Sequence, residues 1–408
     1  MVAALAALAA ATAESASRGL RLTAVVLAGL VAVAVSDPSA LRLSGASRAR
    51  DAFYAAEAGR AVRLERSAEP AFDIVLIHVC SLSWEDLRSA GLEHDPFLRG
   101  FSAVLTGFTS ATSYSNPSAI RLLRAPCGQQ RHEGLFRPAA AGCYLLEELR
   151  RLGYRSWAAS NHDGGYDHYA EVLKVQARAD APMALAGVPA PKLNFDGSPI
   201  YDDGAVLGRW WEARQRSGAA RAVLYYNTVS LHQGAHRPGQ AGDWFKDRRQ
   251  HYREAAGELF AALRRFFAVV EGSGRRVVVL FVAEHGAALE GSPVQAPDLR
   301  DIPLPQLTAV PAAVLLLGPG AAARVPAVLD RPLSYLALAD LLRRFLERPP
   351  FGPGQTLADG RLGGLPETGF VAENEDFRVL ESGGRFLAQG KDGRWKTLPA
   401  GAARVEVP

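Results

Sequence analysis

The residue types that could bind a metal and move a phosphoryl group lie far apart in this 408-residue chain. Cys80 ends the apolar run FDIVLIHVC (72–80), and Glu284-His285 closes another, RRVVVLFVAEHG (275–286). A thiolate, a carboxylate and an imidazole form a mixed S/O/N donor set that suits Zn²⁺ better than Mg²⁺ or Ca²⁺. Each has a plainer reading. A lone cysteine is commonly a small buried hydrophobe, and Glu-His after a strand can be a surface turn. Their shared position at strand ends favours the metal, because ligands of open parallel sheets bind beyond the carboxyl ends of the strands. Ser115 adds an alcohol. It precedes Asn116-Pro117 and the apolar-periodic Ala119, Ile120, Leu122 and Leu123, which places it at or just before a helix N-terminus. Free N–H groups and the helix dipole favour a phosphoryl group there. Serine at such a position is often only an N-cap; a metal that lowers its pKa would make it a nucleophile.

Other polar residues follow predicted strands. His232 and His236 in SLHQGAH lie beyond the run ARAVLYYNTVSL (220–231). They read as a second-metal pair, as donors to phosphate and leaving oxygen, or as two loop histidines. Arg300, in LRDIPLP, could meet phosphate in a two-pronged way. His162, in SNHDGGY, is a candidate for the same pocket but reads better as part of a solvated loop. His78 shares the face of Cys80 two positions earlier and reads as structural. The chain has three cysteines, so one is left over in an oxidising compartment. Pairing Cys127 with Cys143 would close a loop of about 15 residues and contribute about 3 kcal/mol. A metal would then hold Cys80 and shield it from oxidation. The sequence also leaves open a pairing of Cys80 with either of the others.

The elements that must position these residues begin at Phe72. FDIVLIHVC reads as a central parallel strand, and RSWAAS (155–160), ARAVLYYNTVSL, RRVVVLFVAEHG and PAAVLLLGPG (311–320) read as further strands. Helical patterns cover CYLLEELRRLG, a long stretch from about Asp247 to Glu271, and PLSYLALADLLRRFLER (332–348). Strands separated by helices predict one large α/β domain with a parallel sheet covered on both faces. From Gly369 the pattern changes to short alternating runs with two Gly-containing turns, a small antiparallel meander.

Composition excludes other classes. With 48% hydrophobic and 22% charged residues the chain can bury a core, which excludes wholesale disorder. A net charge of +4, without basic runs interleaved with aromatics, argues against a nucleic-acid partner. No G-x-x-x-x-G-K-[ST] or G-x-G-x-x-G follows a plausible strand, so P-loop and dinucleotide-binding readings fall away. Near the start, Leu22 to Val35 is uncharged and apolar, with Arg18 and Arg21 before it. It is shorter than the ~20 residues of a full span and could also be a signal-peptide core, with a small-x-small site at Ala32-Val33-Ala34. Residues 2–12 resemble the tail of another span. In both of these readings the arginines stay inside and the rest is exported; the plainer reading is an Ala/Val-rich soluble helix, and export is favoured. The expected organisation is an N-terminal membrane segment over 1–36, a juxtamembrane helix and linker over 37–70, and a periplasmic catalytic domain over 71–408.

CSLSWEDL, ATSYSNPSAIRLLRAPCGQ, FDGSPIYDD, YNTVSLHQGAH, EHGAALEG and LRDIPLP together resemble the BcsG family of cellulose-biosynthesis proteins. These are membrane-bound phosphoethanolamine transferases of the alkaline phosphatase superfamily, and the resemblance runs from about Phe72 to the C-terminus. It implies an alkaline-phosphatase-like α/β/α sandwich with a mostly parallel central sheet. It implies Zn²⁺ at Cys80, Ser115, Glu284 and His285, with Ser115 the nucleophile, and Tyr114, His232 and Arg300 in the pocket. Cys127 and Cys143 match a disulfide of the family. The implied donor is phosphatidylethanolamine, and the implied acceptor is a glucosyl hydroxyl of cellulose outside the bacterial inner membrane. The implied partners are subunits of the cellulose synthase complex. Relatives outside this branch usually carry Asp-His-Gly where this chain has Glu284-His285-Gly286. Two departures stand out. The apolar start is a reduced or truncated form of the family's several spans, and Asn116 follows the nucleophile where a smaller residue is expected. Rival expectations are a phosphodiesterase or sulfatase-like hydrolase, and a non-catalytic accessory subunit of the synthase.

Overall fold

The computed structural model describes residues 38–65, 71–240, 244, 246–321, 326–352, 357, 360–399 and 401–402. The expected membrane segment over 1–36 lies outside the described residues. Among the described residues no helix is long and apolar enough to cross a membrane. The chain divides into two units, residues 1–51 and 52–408. The described part of the first unit belongs to the helix Pro38–Ala58.

The second unit is built on strands β1 (Asp73–Val79), β2 (Ala103–Leu105), β3 (Arg155–Ser160), β4 (Lys192–Leu193), β5 (Pro199–Ile200), β6 (Ala222–Thr228), β7 (Val277–Ala283), β8 (Ala312–Leu317) and β9 (Ala327–Leu329). β10 (Val371–Glu373), β11 (Arg378–Ser382), β12 (Arg385–Gln389) and β13 (Trp395–Thr397) complete the set. Seven strands form the central sheet in the order β3-β6-β1-β7-β8-β2-β9. Every residue of β1, β6, β7 and β8 is buried, which requires cover on both faces and explains their unbroken Val/Ile/Leu character. The cover comes from helices. Asp203–Arg216 packs on Arg248–Gly272, and Ser115–Leu123 packs on Tyr169–Ala177. A group of rings around Phe97, Phe260, Phe267 and Phe281 fills the space under the long helix.

One strand departs from the predicted direction. β8 runs antiparallel to both β7 and β2, because the chain leaving β7 does not cross back through a helix. It forms the loop of 284–310 at the same end of the sheet and re-enters there. The short β2 and β9 and the β4–β5 hairpin carry too few residues to show a periodic pattern, and the sequence reading did not find them. The C-terminal meander is present, with four strands in the order β10-β11-β12-β13. Gly383 and Gly384, at φ 59° and 70°, make the two-residue turn between β11 and β12, where both positions need a left-handed backbone. Cys127 and Cys143 form a disulfide, and Cys80 is a free, buried thiol.

At the N-terminal end of β1, buried Asp73 accepts from Arg214 Nε at 2.7 Å, Arg214 Nη2 at 2.9 Å and Arg275 Nε at 3.0 Å. It also accepts from the Ala222 N–H at 2.8 Å. This carboxylate ties β1, β6 and the helix Asp203–Arg216 together at the end of the sheet opposite Cys80.

Candidate metal centre and nucleophile

The register of β1 and β7 pairs Val79 with Ala283, so the next residues, Cys80 and Glu284, emerge side by side. The ladder continues past the strands: the Glu284 N–H donates to Val79 O at 2.8 Å, and the Cys80 N–H donates to Thr228 O at 2.9 Å. The backbone then turns sharply. Ser81 (φ 63°), Ala111 (φ 58°) and Ala288 (φ 59°) all adopt the left-handed region. Each such residue costs on the order of 1 kcal/mol and persists where its surroundings fix it, commonly at functional sites.

These turns bring the predicted ligands together. Cys80 Sγ lies 3.7 Å from His285 Nε2 and 3.5 Å from Ser115 Oγ. His285 Nε2 lies 3.2 Å from Ser115 Oγ and 3.7 Å from Glu284 Oε2. Cys80, Glu284 and His285 are all buried, and their donor atoms lie within 4.8 Å of one another. In this dry pocket each group resists charge. Burial, followed by the Glu284 charge, pushes the Cys80 thiol up to about 12. Burial raises the Glu284 carboxyl, and burial with the Arg300 cation holds His285 well below the usual histidine range.

The donor set fits a cation on a second ground. Glu284 Oε2 is buried and has no hydrogen-bond partner, a costly state for a carboxylate oxygen. His285 Nδ1 lies 2.9 Å from Gly286 O. It therefore carries the proton and donates, which leaves the Nε2 lone pair facing Cys80 and Glu284. An S, an N and an O donor without full partners at one point match zinc's preferences.

A layer of polar groups orients these side chains. The Gly164 N–H donates to His162 Nδ1 at 3.1 Å, so Nε2 is the donor to Asn227 Oδ1 at 2.8 Å. Asn227 Nδ2 in turn donates to Glu284 Oε1 at 2.5 Å. His162 is thus half-buried and engaged, in correction of the solvated-loop reading. His78 is structural as expected: its Nδ1 lies 3.0 Å from the Tyr225 hydroxyl and its Nε2 3.3 Å from Ser118 Oγ. Burial takes His78 down to about 3, so it is neutral. The loop after Glu284 is held by Asp86, which accepts from the N–H groups of Ala287 at 2.7 Å and Leu289 at 3.2 Å. A Cβ at Gly286 would sit 2.7 Å from Ser83 Oγ and 2.8 Å from Asp86 Oδ2. SWEDL and EHGAAL are therefore two halves of one packed unit.

Ser115 is the first residue of the helix Ser115–Leu123, with Tyr114 at the N-cap. Ser115 is partly exposed, while Cys80, Glu284 and His285 are not. Arg300 Nη1 lies 3.3 and 3.4 Å from the two ring nitrogens of His285, and the guanidinium sits 5.8 Å from the Tyr114 ring centre. The Tyr114 hydroxyl donates to Asp301 at 3.0 Å. Arg300 is held through its carbonyl, which accepts from Ser113 Oγ at 2.6 Å and Asn374 Nδ2 at 3.2 Å. Asn374, between β10 and β11, also accepts from Thr112 Oγ1 at 2.8 Å, so the C-terminal meander reaches the site. Asn116 donates to Asp167 O at 3.0 Å and to Asp167 Oδ2 at 2.7 Å. Its size, unexpected beside a nucleophile, tethers the 164–168 loop to the helix.

The two loop histidines differ in their partners. His232 is within electrostatic reach of Arg300 and His285; burial first and Arg300 second take it down to about 4. His236 lies apart from the ligand group. Its backbone pairs with Leu193 and its Nδ1 contacts Gly234 O at 2.9 Å, and with His232 it lines a separate cavity. Sequence reasoning missed Asn227, Asn374, Asp86 and Ser118. Asn227 stands in the motif YNTVSLHQGAH, and its place at the end of a buried strand was the available signal.

Comparison with known proteins places this arrangement. The family model "Cellulose biosynthesis protein BcsG C-terminal domain" matches residues 34–395. Two curated relatives, the cellulose biosynthesis proteins BcsG of Escherichia coli K12 and Salmonella typhimurium, are each 37% identical over 353 residues. The match covers 85% of this chain and 62% of each relative, so the chain spans under two thirds of their length. Among solved structures, an alkaline phosphatase superfamily protein from Vibrio parahaemolyticus aligns with a TM-score of 0.56 at 14% identity, covering 82% of this chain and 81% of that one. The periplasmic domain of EcEptC from Escherichia coli, solved in complex with Zn, aligns with a TM-score of 0.51 at 11% identity, covering 77% of this chain and 93% of that one. These likenesses establish the fold as that of the alkaline phosphatase superfamily.

Proposed function

This chain belongs to the cellulose biosynthesis protein BcsG C-terminal domain family, and from that premise we propose that it transfers phosphoethanolamine from phosphatidylethanolamine to glucosyl hydroxyls of cellulose. The observation that carries the proposal is the convergence of Cys80, Glu284 and His285, one with an orphaned oxygen, on the hydroxyl of Ser115. Cys80, Glu284 and His285 would hold Zn²⁺, with Ser115 beside it, and the ion when bound lowers the pKa of a hydroxyl and neutralises phosphate oxygens. The zinc complex of a structural neighbour supports that choice of metal.

The reaction proceeds in two displacements. Ser115 Oγ attacks phosphorus, the Oγ–P bond forms, and the bond from phosphorus to the diacylglycerol oxygen breaks; that oxygen takes up a proton. Free N–H groups at the start of the helix Ser115–Leu123 and the Arg300 guanidinium face the phosphoryl oxygens. A glucosyl oxygen then attacks phosphorus, the Ser115 Oγ–P bond breaks, and Ser115 regains its proton. His232, neutral at pH 7 because of burial and Arg300, serves best as the acceptor of the glucosyl proton. The Cys127–Cys143 disulfide supports an oxidising compartment. That favours a periplasmic catalytic domain at the bacterial inner membrane, beside the subunits of the cellulose synthase complex.

The test is Ser115→Ala. It is expected to abolish transfer and formation of a phosphoserine adduct while the purified protein still binds zinc. Transfer that survives the substitution overturns the nucleophile assignment. Product analysis with the lipid donor, with and without cello-oligosaccharides, decides between transfer and hydrolysis: free phosphoethanolamine as the product in both cases would make the chain a hydrolase.

A further inference from the structure

Four aromatic side chains are exposed among the described residues: Tyr114 (38%), Phe136 (41%), Tyr166 (57%) and Phe195 (51%). They are not scattered. Tyr114 precedes the nucleophile and shares with Phe136 the lining of a cleft of about 770 Å³ that begins at Tyr114 and Asn116. Tyr166 lies within electrostatic reach of Tyr114. Its ring meets Phe195 edge to face, with centres 5.3 Å apart at 85°. Phe195 stacks on His232 at 5.4 Å and 23°. Exposed aromatic surface gathered at one place marks a binding surface, and here it runs from Tyr114, next to Ser115, through Tyr166 to Phe195 on His232.

The rings are also held in place before any ligand arrives. The 164–168 loop is tied to the nucleophile's helix by Asn116, and its Asp167 and His168 both adopt left-handed backbones at φ 50° and 53°. The hairpin bearing Phe195 is joined to the His232 loop by paired backbone hydrogen bonds between Leu193 and His236, at 2.8 and 2.9 Å. A Cβ at Gly234 would lie 2.9 Å from Phe195 Cβ, so that position must stay glycine for the hairpin to close on the loop. Preorganised rings lose little freedom on binding.

We propose that Tyr166 and Phe195, set nearly at right angles, form an angled aromatic platform that seats a pyranose ring of the β-1,4-glucan acceptor beside Ser115. One ring stacks on its C–H face and the other bounds its edge. The inference rests on the transferase reading above and deepens it by naming where the acceptor sits. A pyranose presents an apolar C–H face to an aromatic ring and hydroxyls around its edge. Here Asp163, Asp167 and Asp196 stand exposed beside the two rings as acceptors for those hydroxyls. The ammonium of the donor headgroup would need a single ring, whereas several exposed rings on neighbouring loops suit a polymer.

The experiment measures binding of a soluble cello-oligosaccharide to the full chain by calorimetry, and separately the formation of phosphoserine from phosphatidylethanolamine without glucan. Tyr166→Ala and Phe195→Ala are each expected to weaken oligosaccharide binding about tenfold, the order of one lost aromatic contact, and Phe195→Trp to restore it. Tyr166 does not stack on His232, so Tyr166→Ala should leave adduct formation within about twofold. Undetectable binding to the unmodified chain, or equal binding by all variants, overturns the platform. So does a loss of adduct formation as large as the loss of binding, which would assign the rings to the donor. If the unmodified chain forms no adduct but binding still drops in the variants, the platform stands and the transferase reading falls.

Discussion

Two buried carboxylates stand at opposite ends of neighbouring strands, Asp73 at the start of β1 and Glu284 just past the end of β7. Both are fully buried, yet their surroundings differ. Asp73 accepts from two arginines and a backbone N–H. Glu284 has one oxygen held by Asn227 and another with no partner, next to a thiol and an imidazole. Burial alone therefore says nothing about role. A carboxylate whose lone pairs are all engaged is a structural joint, while one left half engaged is poised for something the polypeptide does not itself provide.

The largest expected effect tests that contrast directly. Asp73→Ala leaves two arginines without their buried partner and is expected to cost about 3–5 kcal/mol of stability, read by denaturant titration, with zinc content per folded molecule unchanged. Glu284→Gln keeps the shape and removes a charge that burial already opposes. The metal-free protein should stay within about 1 kcal/mol of the original while zinc binding is lost. If Glu284→Gln instead unfolds the protein as Asp73→Ala does, the two carboxylates are alike and the metal reading loses its basis.

A smaller effect sharpens the comparison one step further out. Asn227 fixes Glu284 as Arg214 fixes Asp73, but through a neutral amide whose other end is set by His162. Asn227→Ala is expected to weaken zinc binding by about 10- to 100-fold, measured by competition with a chelator, with far less loss of stability than Arg214→Ala. Unchanged zinc affinity would show that the strand ends alone suffice to aim the carboxylate.

How far the sequence reveals these features follows from the range of the forces involved. Cys80 and Glu284 are legible because β-branched runs mark their strands, and the strand ends of a parallel sheet are where ligands bind. Their adjacency requires the register Val79↔Ala283, which neither run contains. Asp73 carries no mark either, since its partners lie 141 and 202 positions away. Asn374 is invisible for the same reason, and Asn227 shows only its place near the end of a buried strand: an amide has no periodicity, and its role depends on what folding brings beside it. The antiparallel direction of β8 is not legible either, because its apolar run reads the same in both directions and only the loop of 284–310 decides at which end of the sheet it re-enters. Phe195 and Tyr166 carry no mark in the sequence, because a sequence does not record exposure.

The smallest effect asks whether an unpartnered buried atom is enough to mark a metal site. His132 Nδ1 is buried without a partner, as Glu284 Oε2 is. Its surroundings are cationic, though. Burial first, then Arg121 and Arg378, take His132 down to about 4. The sign follows from proton counting. Between the ordinary histidine value near 6.5 and about 4, the unfolded chain binds a proton that the folded chain refuses, so folding stability declines as pH falls through that window. Above it, His132 is neutral in both states and has no effect. His132→Asn is therefore expected to flatten the stability profile between about pH 6.5 and 4 and to leave zinc binding at neutral pH untouched. Denaturant midpoints at several pH values, with and without zinc, provide the check. An acid slope that His132→Asn leaves as steep as before would mean that the cations around His132 do not set its protonation, and the distinction between a proton-refusing pocket and a cation-seeking one would have to be redrawn.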